Sequence, residues 1–315
     1  MIYAAIDLGT VTSRLMLGRV FEGNVNVLKR SIIITNIGEG LTQSGRISLD
    51  ANNRLQEALL QFKDEIASMQ EEAKDELLGS EIPVKAVATS AMRDASNAAD
   101  ILADAKRIGF DIEVISGKRE AELSFKGTLS GFNNLSSPVM SIDIGGGSAE
   151  AILGDENGNI ITSHSFDIGC RRITEMFLKN NPLSIEEMDA AGNWAKEETT
   201  SFFANLPQLP CEVIAVAGTA TSAVTIRDAI VKYDSSLVHG QRLKATELAS
   251  LINALSTLNL EEREQVRGLH PGRASVIVGG LIVLEVMLRA LKKDSLFVSD
   301  VDILQGIILD EATIC

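Results

Sequence analysis

The 315-residue sequence predicts an α/β chain made of two related halves, and three observations lead there. A short pattern occurs twice, as Ile6-Asp7-Leu8-Gly9 near the start and as Ile142-Asp143-Ile144-Gly145-Gly146-Gly147-Ser148 in mid-chain. Each copy is followed by an apolar stretch (Leu15-Met16-Leu17; Ala151-Ile152-Leu153), a Gly-Asn turn (Gly23-Asn24; Gly158-Asn159) and more β-formers. That order reads as strand, glycine turn, strand, turn, strand, made twice. Beyond the first such unit, strand and helix patterns alternate, which defines the class.

The elements follow in order. Met1 to Ala5 and Pro138 to Ser141 are the apolar runs that enter the two repeated patterns. Leu55, Leu59, Phe62, Ile66 and Met69 recur at spacings of three and four, predicting a long amphipathic helix that stops at Gly79. Packing on a sheet accounts for this stripe more simply than a partner helix does. Val84 to Ala88 reads as a strand, Ala98 to Ile108 as a helix closed by Gly109, Ile112 to Ile115 as a strand, and Glu120 to Leu129 as a helix. Gly131 to Pro138 is polar and turn-rich, the best linker in the chain. Ser184 and Glu187 form a capping-box pattern that opens a helix through Trp194 to Phe203. Val213 to Ala217 reads as a strand running into a small-residue turn, Gly218-Thr219-Ala220-Thr221-Ser222. Val276 to Leu284 is the most apolar segment. Glu285 and Arg289 cut it short of a bilayer span, so a buried helix is expected. Leu296 to Asp300 reads as a strand and is followed by an apolar helix through Leu309.

Composition narrows the function classes. Hydrophobic residues make up 45% and charged residues 23%, as in a chain with a full core. A formal net charge of −14 argues against long-range attraction to nucleic acid or to an acidic membrane. An anionic ligand then needs a local patch of basic side chains and backbone N–H groups. Cys170, Cys211 and Cys315 are odd in number and widely spaced, which fits a reducing cytoplasm and no zinc or disulfide framework. The chain enters a strand at once, so no secretory signal is expected.

Asp143 to Ser148 is the strongest single site. Successive glycines let the backbone approach a phosphate, and their N–H groups surround its oxygens. Asp143, at a strand end, suits Mg²⁺ as an oxygen ligand. A tight hairpin with glycines for sterics is the plain alternative, but the matching Asp7-Leu8-Gly9 favours phosphate, with a ligand lying between the halves. Gly218-Thr219-Ala220-Thr221 adds a third small-residue turn.

These turns resemble the phosphate and connecting motifs of the fold shared by actin, sugar and acetate kinases and chaperone ATPases. Neighbouring residues narrow the resemblance. Val87 to Ala95, Ile115-Ser116-Gly117 with Glu120-Ala121, Ile142 to Glu150, and Gly169 with Arg172 to Glu175 are similar to motifs of the exopolyphosphatase/guanosine pentaphosphate phosphatase (Ppx/GppA) family. So are Gly272-Arg273-Ala274 with Val276 to Val278, and Val298-Ser299-Asp300. The resemblance implies the duplicated actin-like, ribonuclease H-like two-domain fold of the ATPase and sugar-kinase superfamily, with an interdomain cleft. The expected domains are residues 1–126 with a returning C-terminal helix, 300–315, and residues 127–299.

The resemblance further implies metal-dependent hydrolysis of the terminal phosphoanhydride of inorganic polyphosphate in the cytoplasm, with Mg²⁺ or Mn²⁺. Glu120 matches the family's catalytic glutamate, and Glu150 a second carboxylate that orients water or metal. Asp143 and its counterpart Asp7 join Glu150 as expected metal ligands. Arg93 is expected to grip a phosphate, and Gly9, Thr10 and Thr12 with Gly145, Gly146, Gly147 and Ser148 to surround the terminal phosphoryl group. Gly218 and Thr219 form the third turn. Arg172 and Arg273 are expected to line a channel for a polyanion, ahead of Lys118, Arg119 and His270. The chain lacks the helical C-terminal extension of longer members, so short polymers are expected. The alternatives are a pppGpp 5′-phosphatase, with the same site and an added guanosine pocket, or a weakly active polyphosphate- or nucleotide-binding sensor. No nucleic-acid or membrane partner is expected, and the family allows a homodimer.

Four places depart from the family pattern. Val11 stands in the first loop where the family has a polar amide. Arg119 precedes Glu120 where two glutamates are usual, bringing positive charge beside the expected base. Ser275 follows Arg273-Ala274 where an aspartate is usual, and Leu304 stands where the tail motif has an arginine.

Overall fold

Strand β1 (Ile2–Leu8) is buried at every position because both of its faces are covered. Ile2, Ala4, Ile6 and Leu8 enter one core, while Tyr3 and Ala5 enter another, as the two-residue period of a strand requires. The structure, a computed structural model, describes residues 1–314. Cys315 lies outside the described residues, while Cys170 is a buried thiol and Cys211 an exposed one. Contacts divide the chain into two units, residues 1–130 with the C-terminal helix, and Gly131–Asp302.

In the first unit β1 pairs antiparallel with β2 (Thr12–Phe21), which pairs antiparallel with β3 (Asn24–Ile34). The long helix α1 (Leu49–Glu72) covers the first core with Leu55, Leu59 and Phe62. It ends before Gly79, contrary to the sequence expectation. Polar Gln70, Glu71 and Glu72 follow Met69 with nothing to bury, and a separate turn, Lys74–Leu77, re-anchors the chain through buried Leu77. β4 (Val84–Ala88) lies parallel to β1 and leads into a short helix α2 (Ser90–Asp94) and then α3 (Ala98–Ile108). β5 (Ile112–Val114) is parallel to β4 and feeds α4 (Gly117–Ser130), giving the sheet order β3-β2-β1-β4-β5.

The second unit repeats this plan. β6 (Val139–Ile144), β7 (Ala149–Gly154) and β8 (Ile160–Phe166) form the antiparallel meander, followed by α5 (Cys170–Phe177) and α6 (Ile185–Ala204). β9 (Glu212–Val216) lies parallel to β6, as β4 does to β1. It runs directly into α7 (Ala217–Arg227), so Gly218 to Ser222 form the first turns of a helix and not the separate small-residue turn that the sequence had implied. β10 (Arg242–Lys244), α8 (Ala245–Ser256), α9 (Ile277–Ala290) and β11 (Ser295–Val298) complete the unit. The order is β10-β11-β9-β6-β7-β8, the first sheet's order with one added edge strand. α9 is apolar nearly all round because it is the central buried helix of this unit's core. No described helix is long and apolar enough to cross a membrane.

The C-terminal helix α10 (Ile303–Ile314) belongs to the first unit. Leu304, Ile307 and Ile308 join Tyr3, Ala5 and Met16 in the core on the second face of the first sheet. Gly306 lets α10 touch the backbone of α4, since a Cβ there would lie 1.8 Å from the Leu123 carbonyl oxygen.

Gly306→Ala is expected to lower the unfolding free energy in urea by about 1–3 kcal/mol, the usual cost of overpacking. Gly192→Ala, inside α6 with its nearest neighbour 3.9 Å away, is the control and gains up to about 1 kcal/mol. At the start of α6, Ser184 and Glu187 form the reciprocal capping box, and Glu187 also accepts hydrogen bonds from the Lys179 and Asn180 amides at 2.8 Å. Burial pushes the Glu187 carboxyl up, but the Ser184, Asn180 and Lys179 amides outweigh it and hold the group below its ordinary value. The stabilisation is therefore present above the ordinary glutamate range and is lost as pH falls through the lowered one. Glu187→Ala is expected to cost about 1 kcal/mol at pH 7, and the gap to wild type narrows in acid.

Candidate active site

Each meander opens with the same four-residue turn. The Gly9 amide donates to the Thr12 carbonyl at 2.9 Å, and the Gly145 amide to the Ser148 carbonyl at 3.0 Å. A Cβ on either glycine would stand 3.1 Å from that carbonyl oxygen. Gly9 and Gly145 thus close the turns, and their amides are spent there instead of facing a phosphate as the sequence had implied. The carbonyls of both turns are held from the far side. Thr10 and Val11 accept from the amides of Gly38 and Asn36 at 3.0 and 2.9 Å. Gly145 accepts from Cys170 at 2.9 Å, and Gly146 from Arg171 and Arg172 at 2.9 and 3.2 Å. The N-terminus of α5 is capped in this way by the loop. Arg172 adds Nε–H to the Gly147 carbonyl at 2.9 Å, so it braces the loop. With these carbonyls turned to α5 and Arg172, no described residue accepts from the amides of Gly146 or Gly147.

The register places the acids. Asp143 on β6 stands opposite Glu150 on β7, which stands opposite Ser165 on β8. Both carboxylates are buried, at 7% and 1% exposure, on the face away from the helical core. Ser165 Oγ donates to Glu150 Oε1 at 2.7 Å. The corresponding pair in the first unit is Asp7 and Arg14, joined by Nε–H and Nη2–H donating to Asp7 Oδ2 at 3.0 and 2.5 Å. Among the described residues no cluster of three or more His, Cys, Asp or Glu forms a metal centre. Two adjacent carboxylates nevertheless are the kind of oxygen donors a hard divalent cation would take. Asp7, already bound to a guanidinium, suits one less well.

Arg93 and Glu120 come together in the first unit. Arg93, on α2 after β4, donates through Nη1–H to Glu120 Oε2 at 2.7 Å and to the Ile115 carbonyl at 3.0 Å. Glu120 lies in the first turn of α4, at the carboxyl ends of the parallel strands where α/β folds place ligands. Arg119, expected beside the base, instead pairs with Asp310 on α10 and with Glu122. Its charge is spent on tying α4 to the C-terminal helix.

In the second unit Thr219 is buried and donates to the Ile144 carbonyl at 3.4 Å, just before the glycine turn. Gly218 lies against the guanidinium of Arg273. Thr10, Thr12 and Ser148 are buried at their turns.

Comparison with known proteins decides the family. The sequence model described as the Ppx/GppA phosphatase family matches residues 17–313. This chain belongs to the Ppx/GppA phosphatase family. It is 33% identical to Exopolyphosphatase 2 of Mycobacterium tuberculosis, over 98% of each chain. It is 26% identical to the guanosine-5′-triphosphate,3′-diphosphate pyrophosphatase of Vibrio campbellii, over 98% of this chain and 59% of that one. The crystal structure of the Aquifex aeolicus Ppx/GppA family member superposes with a TM-score of 0.81 at 26% identity, covering 99% of this chain and 98% of that one. The fold is the duplicated actin-like one of that family.

Within this Ppx/GppA chain, sequence reasoning missed three features. The amides of Asn36 and Gly38 seat the first turn, those of Cys170, Arg171 and Arg172 just after Gly169 seat the second, and their signal was the Ile-Gly pair after each third strand. Arg14 was legible as the residue opposite Asp7 in a hairpin register. Ala217 adopts φ 63°, a left-handed conformation costly for a residue with a Cβ, where β9 turns into α7. That feature had no sequence signal. Ala217→Gly is expected to raise the unfolding free energy by about 0.5–1 kcal/mol in urea titrations.

Proposed function

We propose that this protein is a metal-dependent exopolyphosphatase that hydrolyses the terminal phosphoanhydride of inorganic polyphosphate and releases orthophosphate. The observation that carries the reading is the buried pair Asp143 and Glu150 beside a glycine turn whose Gly146 and Gly147 amides meet no described acceptor. A site of that kind suits a phosphate and a hard cation together. The 33% identity to a protein named Exopolyphosphatase 2 supports the substrate class.

In this reading Asp143 and Glu150 hold Mg²⁺ or Mn²⁺, which when bound neutralises charge on the phosphate oxygens. The Gly146 and Gly147 amides and Arg273 bind the terminal phosphoryl group and its neighbours. Glu120 accepts the proton of the attacking water, and Arg93, 2.7 Å from its carboxylate, fixes the side chain for that role. Water's oxygen bonds to the terminal phosphorus, the bridging P–O bond breaks, and the shortened chain leaves with the bridging oxygen. Fixed donors aimed at the developing charge supply the largest stabilisation in such sites.

The test is orthophosphate release from polyphosphate with Mg²⁺, wild type against Glu120→Gln. Release by the wild type and a loss of about 10²–10⁴-fold in the variant is the expected result. Equal rates would remove Glu120 as the base. No release from polyphosphate but release from pppGpp would transfer the reading to the 5′-phosphatase that the Vibrio relative's name describes. Binding of either without turnover would make the protein a sensor.

A further inference from the structure

Arg273 sits at the end of the short helical turn Pro271–Arg273. That turn is locally fixed. The Gly272 amide donates to His270 Nδ1 at 3.2 Å, and the Arg273 amide to the His270 carbonyl at 2.8 Å. The guanidinium then occupies the volume a side chain at position 218 would need. A Cβ on Gly218 would lie 1.8 Å from Nη1, 2.2 Å from Cζ and 2.3 Å from Nη2. The backbone at 218 has little freedom to retreat. The next residue, Thr219, is buried with its hydroxyl on the Ile144 carbonyl. Against it, on α9, a Cβ at Gly280 would stand 2.6 Å from Thr219 Oγ1. The left-handed turn at Ala217 sets the direction in which α7 leaves β9. Cys170, buried at the start of α5, closes the neighbourhood. Burial pushes its thiol up, and the nearby positive charges of Arg273 and Arg171 oppose that shift.

We propose that Gly218 is a positioning residue: its missing side chain forms the slot that fixes the guanidinium of Arg273 for an oligophosphate ligand. The inference rests on the reading of Arg273 as a substrate-binding group. A long, free arginine loses rotamer freedom when it grips an anion, and a side chain already held in place loses less. Glycine at 218 therefore acts on affinity through Arg273 without touching the ligand. Any larger residue expels the guanidinium from the slot, although alanine itself is the better helix former.

The experiment is a double-mutant cycle on Gly218→Ala and Arg273→Ala. It reads the dissociation constant for tripolyphosphate by calorimetry and the unfolding temperature of each variant. Each single change is expected to weaken tripolyphosphate binding at least tenfold, with the double variant no weaker than the worse single. Removing Arg273 is also expected to restore part of any unfolding temperature, or of any yield of folded protein, that Gly218→Ala loses. Wild-type affinity in Gly218→Ala, or losses that multiply in the double variant, would overturn the proposal. Should the wild type bind no tripolyphosphate, the substrate reading fails by itself. The thermal data then decide the positioning alone: rescue by Arg273→Ala upholds it, and its absence overturns it.

Discussion

A tight chain reversal closed by a glycine amide governs both halves of this protein. At Gly9 and at Gly145 the amide closes onto the carbonyl three residues on, and a Cβ would press on that oxygen. The closure fixes the register of the hairpin behind it, pairing Leu8 with Ser13 and Ile144 with Ala149. Side chains alternate along a strand, so a slip of one residue would turn Glu150 toward the helical core and Ala149 toward the acidic face. The position of the acids is therefore a consequence of the turn. The turn in its own right is held by a second segment, Gly38 in one half and Gly169 in the other, each in close contact with the loop backbone or with Thr10.

On this shared frame the halves have diverged electrostatically. Opposite the strand-end aspartate one half presents Arg14 and the other Glu150. The first arrangement neutralises itself across the sheet. The second sets two carboxylates opposite each other, an arrangement that needs positive charge or hydrogen-bond donors around it. A duplicated scaffold has thus placed an ion pair in one half and two carboxylates in the other at the same two positions. Asp7 and Asp143, alike in sequence context, face side chains of opposite charge across the sheet.

What the sequence disclosed was local. The repeated strand-turn-strand units, the capping box at Ser184 and Glu187, and the Gly109 stop all depend on residues within one or two turns of each other, and each appears in the structure as expected. The features it concealed depend on distant partners. Arg119 meets Asp310 across 191 positions, and Arg93 meets Glu120 across 27. Nothing near Arg119 signals that its charge is committed to a helix at the other end of the chain. The small residues at 218–222 were misread for a related reason. Gly218 is small because Arg273 presses on it, and Thr219 packs against Gly280 of α9, a packing demand that mimics the composition of a turn. The glycine turns were recognised correctly as turns, but their donors were overcounted because closing a turn consumes an amide.

The return of α10 to the first sheet has a consequence for biosynthesis. The second unit is one uninterrupted stretch, Gly131–Asp302, whereas the first is assembled from both ends of the chain. On a ribosome the first sheet emerges early, but Tyr3, Ala5 and Met16 lack Leu304, Ile307 and Ile308 of their shared core until α10 has been made. The unit begun first is consequently the one finished last, and a nascent chain carries that partly covered apolar face through the whole synthesis of the second unit.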